Sequence, residues 1–480
     1  MIVGTAALAL MGVGFAPTAN AAATTPVTAP PAAQGAQGSQ ALTARTVLDG
    51  AGHGWKGPDD LTNIGTDIYV AFQNGVPSTG GATGTPATST IVKFTLQGSI
   101  EQTWPITGKI DGLTADPARH RVIATVNEDG NSSLYTVPSD GGTTPTHFAY
   151  DMNPLPHGGG TDAITIYRGD IFVVASAPTT ATGPALYHLT LTNGLAHVAG
   201  SPFTDTSPAT LVNNDQHTPT TLALTDPDSS TVVPAQSPRF AGSVMLDAQG
   251  DQQAIFAANL GAPGQQLQAL TLSQSVDDTA FATSSGGVLL ATDSTANSVV
   301  AVTGPFAPGT AYTAVTPGNA NTPPTPTPAN YLGRIDLQTG TVHPVPTTGQ
   351  PFQPHGLLYV PPSASTVAVG VSPNAAVGVA GVVLYAVVDP NTTGGTITFT
   401  DNGASIPGCD TRPVTGGFAA CTTTFTTPGP HPITATYSGD PTHAGATATT
   451  PLTVTPNPTP FQLALGFLVH LAHQFHVFGL

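Results

Sequence analysis

Four aspartates occupy similar places in a recurring pattern, and their chemistry suits a bound metal ion. Each comes just before an apolar, β-branched run that is typical of a strand, and they are Asp60, Asp111, Asp162 and Asp278. Carboxylates brought together repel one another, and a hard cation such as Ca²⁺ relieves the repulsion. The pattern therefore predicts a Ca²⁺ site, with Asp59 and Asp277 as outward-facing neighbours. The alternative is that each Asp caps its own turn or bonds a backbone N–H.

Two histidines lie beside similar strand entries, His157 in PHGGGTD and His355 in QPHGL. With a nearby carboxylate such as Asp162, either would suit the general base of a hydrolase. The alternative is an exposed side chain in a Gly-rich loop. The sequence contains neither a G-x-S-x-G elbow nor an H-E-x-x-H motif, so it leaves the catalytic residues, and whether the chain is an enzyme, open.

The elements that would position these residues are short strands in a repeated pattern. Residues 110–137 read as strands joined by tight turns, and similar stretches occur at 57–75, 159–177, 239–259, 274–294 and 353–360. The first three aspartates are 51 residues apart, close to the roughly 40–50 residues of a four-stranded blade. We therefore expect an all-β fold with a β-propeller of about six blades over residues 44–362. Five or seven blades, a large sandwich or a β-helix are the alternatives.

Two further features follow from a propeller. ARTVLDG at 44–50 is expected to add an outer strand to the blade that begins with GLLYV at 356–360, which closes the ring and removes its exposed sheet edges. The polar segments 203–240 and 316–331 are expected to be loop insertions on the top or bottom face.

The repeats resemble secreted bacterial propellers related to NHL-repeat and gluconolactonase-like proteins. The resemblance is carried by DGLTADPARHRVIATV at 111–126 and DIYVAF at 67–72. It implies the fold, and no catalytic residue is transferred from that class, because a fold alone does not determine function.

The sequence changes character near residue 363. Short strands with the spacing of a β-sandwich follow to residue 456. GTITFTDNG at 395–403 and ITATYSGD at 433–440 resemble a bacterial immunoglobulin-like repeat. The resemblance implies a spacer or adhesion module outside the cell.

The two cysteines of the chain, Cys409 and Cys421, both fall in this module. An even count in an exported chain favours a disulfide. Two free buried thiols are the alternative, and the spacing without further His or Cys partners makes a poor zinc site.

The two ends carry segments of other kinds. Residues 1–21 are predicted to be a signal peptide, with an apolar core and a small-x-small cleavage site, and 22–43 a Pro/Ala/Gly-rich linker. Residues 457–480 include a stretch whose apolar and His/Gln residues separate at helical spacing. It is predicted to be an amphipathic tail that contacts a membrane or a partner.

Charge and composition bound the function. The net charge of −17 disfavours nucleic acid and anionic lipid as partners. Cations, neutral glycans and basic proteins remain open as partners. We expect a secreted or cell-surface binding protein whose ligand is a glycan or a protein. The alternatives are a metal-dependent lactonase-like hydrolase that uses the channel carboxylates, and a structural surface stalk.

Overall fold

The computed structural model describes residues 41–81, 87–176, 182–225, 227–372 and 375–460. Within these ranges the chain consists of β-strands and three short 3₁₀ helices, Ala51–His53, Pro117–Arg119 and Asn213–Asp215. None of the helices in these ranges is long and apolar enough to cross a membrane. The predicted signal peptide, nearly all of the predicted linker and residues 461–480 of the predicted tail lie outside the described residues.

The first part of the described chain is built from 27 strands. The first thirteen are β1 (Leu42–Asp49), β2 (Pro58–Ile64), β3 (Asp67–Phe72), β4 (Thr88–Thr95), β5 (Ile100–Thr107), β6 (Ile110–Asp116), β7 (Arg121–Val126), β8 (Ser133–Pro138), β9 (Thr146–Tyr150), β10 (Gly160–Tyr167), β11 (Asp170–Ser176), β12 (Leu186–Thr192) and β13 (Leu195–Gly200). The others are β14 (Pro208–Leu211), β15 (Thr218–Thr221), β16 (Pro227–Val232), β17 (Val244–Ala248), β18 (Gln253–Ala258), β19 (Gln266–Thr271), β20 (Val276–Phe281), β21 (Val288–Asp293), β22 (Ser298–Thr303), β23 (Ala311–Val315), β24 (Tyr331–Ile335), β25 (Val342–Pro344), β26 (Thr347–Gly349) and β27 (Leu357–Val360).

These strands form six antiparallel blades. From the inner strand outward, the blades are β2-β3-β4-β5, β6-β7-β8-β9, β10-β11-β12-β13, β16-β17-β18-β19, β20-β23-β24-β25 and β27-β21-β22-β1. Each inner strand contacts the inner strands of the two neighbouring blades, and the sixth contacts the first, so the ring is closed. The predicted propeller is confirmed, with six blades.

The closing strand lies where the sequence predicts it. β1 pairs antiparallel with β22, with Thr43 opposite Thr303, in the sheet whose inner strand is β27. β26 then pairs parallel with β1. The first strand of the described chain is therefore an outer strand of the last blade, and its pairing joins the two ends of the ring.

Two expectations about the strand order were wrong. Segment 203–240 is not a loop insertion, because it contains the hairpin β14–β15 and the inner strand of the fourth blade, β16. The residues of β16, PDSSTV, are polar because the strand lines a central cavity, so it lacks the apolar pattern of its neighbours. Segment 274–294 does not belong to one blade, since β20 lies in the fifth and β21 in the sixth. Segment 316–331 is largely the predicted loop, between β23 and β24.

The core lies between the faces of neighbouring blades. Alternate residues of a strand point to opposite faces of its sheet. In β3, Ile68, Val70 and Phe72 pack against the sixth blade, whereas Tyr69 and Ala71 pack against the second. Because both faces are buried, such strands are continuous apolar runs.

The second part of the chain is a two-sheet sandwich. One sheet contains β28 (Thr366–Val371), β29 (Val382–Asp389) and β33 (Phe418–Thr423). The other contains β30 (Thr396–Asp401), β31 (Ala404–Ser405), β32 (Arg412–Pro413), β34 (Gly429–Tyr437) and β35 (Ala446–Val454). Cys409 and Cys421 are joined in a disulfide within its core, with the sulfur atoms 2.14 Å apart.

Candidate functional site

Five of the six inner strands break their register with the second strand of the blade at one place near their start. In each of these strands, an aspartate directly follows the last regularly paired residue before the break. These aspartates are Asp59, Asp111, Asp162, Asp228 and Asp277. A β-bulge redirects the side chains of a strand at such a break. We call these five residues the acidic ring. His355 stands at the corresponding place before β27 in the sixth blade, where its backbone N–H bonds the carbonyl of Thr292.

The acidic ring and His355 line a cavity of about 550 Å³, to which all six inner strands contribute. Lys109, Glu128 and Gln249 also line it. Asp111, Asp162 and Asp277 are buried, with 5%, 6% and 6% exposure. The inner strands and the loops beside them thus place many ionisable groups in a small volume.

His355 supplies one positive charge to this cavity. Its Nδ1 lies 2.7 Å from Oδ2 of Asp277 and 3.4 Å from Oδ1 of Asp59. The Asp277 carboxylate raises the pKa of His355 to about 10, against the opposing effect of burial. Burial would raise the pKa of Asp277, but the imidazolium outweighs it and lowers that pKa. His355 is therefore protonated at neutral pH, and suits the role of general acid rather than the predicted general base.

Lys109 supplies the other positive charge. Its Nζ lies 2.8 Å from Oδ1 of Asp111, and it also forms an ion pair with Glu128. Asp111 further accepts hydrogen bonds from Gln73 Nε2 at 3.3 Å and from the backbone N–H of Glu128 at 3.2 Å. Burial nevertheless raises the pKa of Asp111 above its ordinary value, although Lys109 acts to lower it. Among the described residues that line the cavity, Lys109 and His355 are the cationic ones.

The arc of the ring between Asp162 and Asp277 has a different character. Asp228 lies close enough to Asp162 and to Asp277 to act on the pKa of both carboxyl groups, raising that of Asp162 and lowering that of Asp277. Burial, followed by the charge of Asp228, raises the pKa of Asp162 well above its ordinary value. Protons therefore reduce the repulsion between Asp162 and Asp228.

Asp60 and Asp278 line the same cavity but serve as structural links. The two carboxylate oxygens of Asp60 accept backbone N–H groups of Leu61 and of Leu113 in the next blade, each at 2.6 Å. The carboxylate of Asp278 likewise accepts hydrogen bonds from the backbone N–H groups of Thr279, at 2.7 Å, and of Leu357 in the sixth blade, at 2.6 Å.

The sequence predicts four site aspartates, and the structure brings all of them to one cavity. Asp111 and Asp162 belong to the acidic ring, whereas Asp60 and Asp278 bond backbone groups. Asp59 and Asp277 do not face outward as expected, because the bulge turns them to the cavity beside His355.

The predicted Ca²⁺ site is not evident as a ligand set. Within the described parts of the chain, no three His, Cys, Asp or Glu side chains are arranged to hold one metal ion. Ca²⁺ binding by the four aspartates stays a prediction.

His157 is a buried residue that does not line the cavity. The side chain is fully buried, its Nε2 lies 3.0 Å from the carbonyl of Ser176, and its Nδ1 contacts the hydroxyl of Tyr187. Burial lowers the pKa of His157. Its ring is part of the core and does not line the cavity.

Sequence reasoning missed Asp228, Lys109 and Glu128. Asp228 lies in the polar segment that was expected to be an insertion. The signal that could have identified it is an Asp followed by a small residue, since Asp228–Ser229 has the same pattern as Asp111–Gly112. Nothing in the sequence places Lys109 and Glu128 next to each other, since β6 and β7 separate them along the chain.

Comparisons with known proteins bear on the sandwich most directly. Residues 366–455 match the model of the bacterial Ig-like domain (group 3). This segment is a bacterial Ig-like domain. The resemblance recognised from its sequence is thereby confirmed, and the Ig-like domain is the part of the chain with a family assignment. A comparison of the sequence with curated proteins finds no match.

Solved structures similar to the chain are distant ones. A periplasmic gluconolactonase of Pseudomonas aeruginosa has a TM-score of 0.38 at 13% identity, over 63% of this chain and 88% of that one. A protein of unknown function from Desulfotomaculum acetoxidans has a TM-score of 0.33 at 9% identity, over 76% and 89%. Hydrazine synthase of Kuenenia stuttgartiensis has a TM-score of 0.33 at 13% identity, over 70% and 76%. At such TM-scores none of them assigns an activity to this chain.

Proposed function

We propose that this chain is an extracellular binding protein and that the propeller cavity receives a positively charged group of a protein ligand, a Lys or Arg side chain. The observation that carries the proposal is the composition of the cavity. Eight aspartates, five of them the acidic ring, and Glu128 line it, and the cations Lys109 and His355 balance only part of their charge. A cationic side chain that enters the cavity gains interactions with buried carboxylates that water screens poorly.

The arc formed by Asp162 and Asp228 is where the ligand cation binds. Lys109 neutralises Asp111, and His355 neutralises Asp277, so each already has a partner. For Asp162, burial and the charge of Asp228 raise the pKa and favour a bound proton instead. An ammonium or guanidinium group replaces this proton, because it donates several hydrogen bonds and carries a full charge. Binding therefore releases a proton, and becomes tighter as the pH rises toward neutrality.

Several features support a location outside the cell. The bacterial Ig-like domain is typical of surface proteins, and the disulfide between Cys409 and Cys421 is stable in an oxidising compartment. The predicted signal peptide agrees with export. The net charge of −17 also favours association with a basic partner.

Titration calorimetry with the full chain tests this proposal. The probe is an acetylated trilysine peptide, with a trinorleucine peptide of similar length as the uncharged reference. We expect the trilysine peptide alone to bind, more weakly in higher salt, and the Asp162→Asn/Asp228→Asn variant to lose about tenfold or more in affinity. Asp140→Asn is the matched control, because Asp140 is exposed and does not line the cavity. Absence of binding, or equal binding by the double variant, would refute the proposal.

A hydrolase remains the second candidate, since His355 and Asp277 form a close acid–carboxylate pair in a cavity. Because His355 is held protonated, it would protonate a leaving group, and water activation would fall to a metal ion or another carboxylate. Hydrolysis of δ-gluconolactone by the chain with added Ca²⁺, abolished by a chelator and by Asp111→Asn, would favour this candidate. If the chain neither binds the peptide nor hydrolyses the lactone, the structural surface stalk is the interpretation that is left.

A further inference from the structure

The outer face of one sheet of the Ig-like domain carries an exposed apolar patch with two aromatic rings. Tyr385 and Val387 of β29 are 38% and 45% exposed, and Phe418 of β33 is 43% exposed. Val387 and Phe418 are direct cross-strand partners. These three are nearly half of the seven large hydrophobic side chains exposed in the described residues. Such a concentration on one face marks a binding surface rather than scattered exposure.

A glycine allows the first ring to lie flat on the sheet. Gly370 of β28 stands directly opposite Tyr385 in the register. A Cβ at Gly370 would lie 2.2 Å from Cζ of Tyr385, so the tyrosine ring occupies the space of the missing side chain. One face of the ring therefore rests on the sheet, and 38% of the side chain remains exposed. The ring of Phe418 lies 6.3 Å away with an angle of 21° between the two planes.

The floor around the rings is flat and its ends are polar. Ala368 is the partner of Val387, and Ala420 is the partner of Tyr385. Since outward residues alternate along β29, the next outward position is Asp389, which is exposed and lies opposite the exposed Thr366. Each strand thus combines small or aromatic side chains in the middle of the face with hydrogen-bonding groups at its end.

We propose that this face of the Ig-like domain binds a neutral glycan. A sugar ring has faces of C–H groups and a rim of hydroxyl groups. The C–H face stacks on the exposed rings of Tyr385 and Phe418, where apolar area is buried against the negative face of the π system. Hydroxyl groups at the rim donate hydrogen bonds to the Asp389 carboxylate. This site is separate from the propeller cavity and does not depend on the function proposed for it.

The chemistry of the face disfavours other occupants. The outward positions of β28, β29 and β33 hold no Lys or Arg, and they are Thr366, Ala368, Gly370, Val383, Tyr385, Val387, Asp389, Phe418, Ala420 and Thr422. An anionic membrane or an acidic protein would find no Lys or Arg among these positions and would be repelled by Asp389, and the nearby Arg412 is engaged at the sheet edge, where its Nε donates to the carbonyl of Ala420 at 2.8 Å.

Native affinity electrophoresis of the full chain tests the proposal, with hydroxyethylcellulose, glucomannan or dextran in the gel. We expect at least one of these neutral polysaccharides to retard the wild type, and Tyr385→Ala/Phe418→Ala to reduce the retardation tenfold or more. Ile100→Ala/Leu195→Ala is the matched control, because these side chains are exposed to 37% and 39% on the propeller. Asp389→Asn should weaken binding less than the aromatic variant.

Three outcomes would overturn the proposal. They are no retardation of the wild type by any of the polysaccharides, equal retardation of the aromatic variant, and an equal loss in the Ile100→Ala/Leu195→Ala control. Analytical ultracentrifugation of the wild type and the variants distinguishes glycan binding from self-association. A wild-type dimer that becomes a monomer on Tyr385→Ala/Phe418→Ala, without glycan binding, would make the face an interface between copies. Urea denaturation of each variant shows whether its Ig-like domain remains folded.

Discussion

The Oδ2 atom of Asp60 in the first blade accepts a hydrogen bond of 2.6 Å from the backbone N–H of Leu113 in the second. The same link recurs between the fifth and sixth blades, where Oδ2 of Asp278 accepts the N–H of Leu357 at 2.6 Å. A side chain therefore satisfies a backbone donor that the inner edge of the neighbouring blade cannot pair within its own sheet. Two of the six junctions between inner strands are fastened in this way.

Replacing Asp60 by Asn should destabilise the propeller. The amide keeps one acceptor oxygen, so it turns an NH₂ group toward one of the two backbone donors and leaves that donor unsatisfied. We expect a loss of about 1–3 kcal/mol in the free energy of unfolding, measured by urea denaturation. Asp140→Asn on an exposed turn is the control and should change little. Equal stability of the two variants would show that Asp60 is not a structural link.

The stability of the chain should fall as the pH rises from about 4 to 6. Burial raises the pKa of Asp59 from the ordinary 3.8 to about 6, and that of Asp278 likewise to about 6. A carboxyl that holds its proton more tightly in the folded state stabilises that state at low pH, and the contribution is lost as the pH rises through the folded pKa. Thermal unfolding at pH 4 to 8 measures this, and Asp59→Asn should flatten the decline. A decline that is as steep in this variant would contradict the assignment.

His355 should add a second, higher window. Because its pKa is about 10 in the fold and 6.5 ordinarily, its stabilising ion pair with Asp277 is complete below pH 6.5 and is lost as the pH rises to 10. With 38% of the His355 side chain exposed, water screens the pair and moderates the effect. We expect the free energy of unfolding of His355→Gln to fall less between pH 7 and 10 than that of the wild type, measured by urea denaturation at each pH. An NMR titration of the wild type in which the imidazole loses its proton near 6.5 would refute the pairing.

Reduction of the disulfide should loosen the Ig-like domain alone. Cys409 and Cys421 are 12 residues apart. In the loop-closure model, a disulfide that closes a loop of this size lowers the entropy of the unfolded chain and thereby stabilises the folded state by about 3 kcal/mol. Urea denaturation of Cys409→Ser/Cys421→Ser should therefore show an earlier transition for the Ig-like domain and an unchanged one for the propeller. A common shift of both transitions would mean that the two parts unfold together.

Much of the fold can be predicted from the sequence because its signals are local. Runs such as DIYVAF at 67–72 are apolar on both faces, since each blade is covered by two others, and they identify the second strands of the blades. The closing strand is also predictable, because a ring with free edges would be costly. The inner strand β16 escapes detection, since PDSSTV lines the cavity and follows no apolar pattern.

The site is only partly predictable, for a geometric reason. A strand alternates its side chains, so one of Asp59 and Asp60 is expected to face away, and only the bulge brings both to the cavity. The link from Asp60 to Leu113 and the pairing of His355 with Asp277 arise between blades. Contacts of this kind depend on how the ring closes, and no spacing within one repeat encodes them.

The pairing of β1 with β22 sets an order of events for a new molecule. A polypeptide made from its N-terminus presents β1 first, long before the hairpin that will receive it has been synthesised. Until then Leu42, Ala44 and Leu48, all buried in the finished fold, lack their cover. Export in an unfolded form, which the signal peptide predicted at residues 1–21 would direct, would avoid this exposure, because β1 and β22 would both be available before the ring closes.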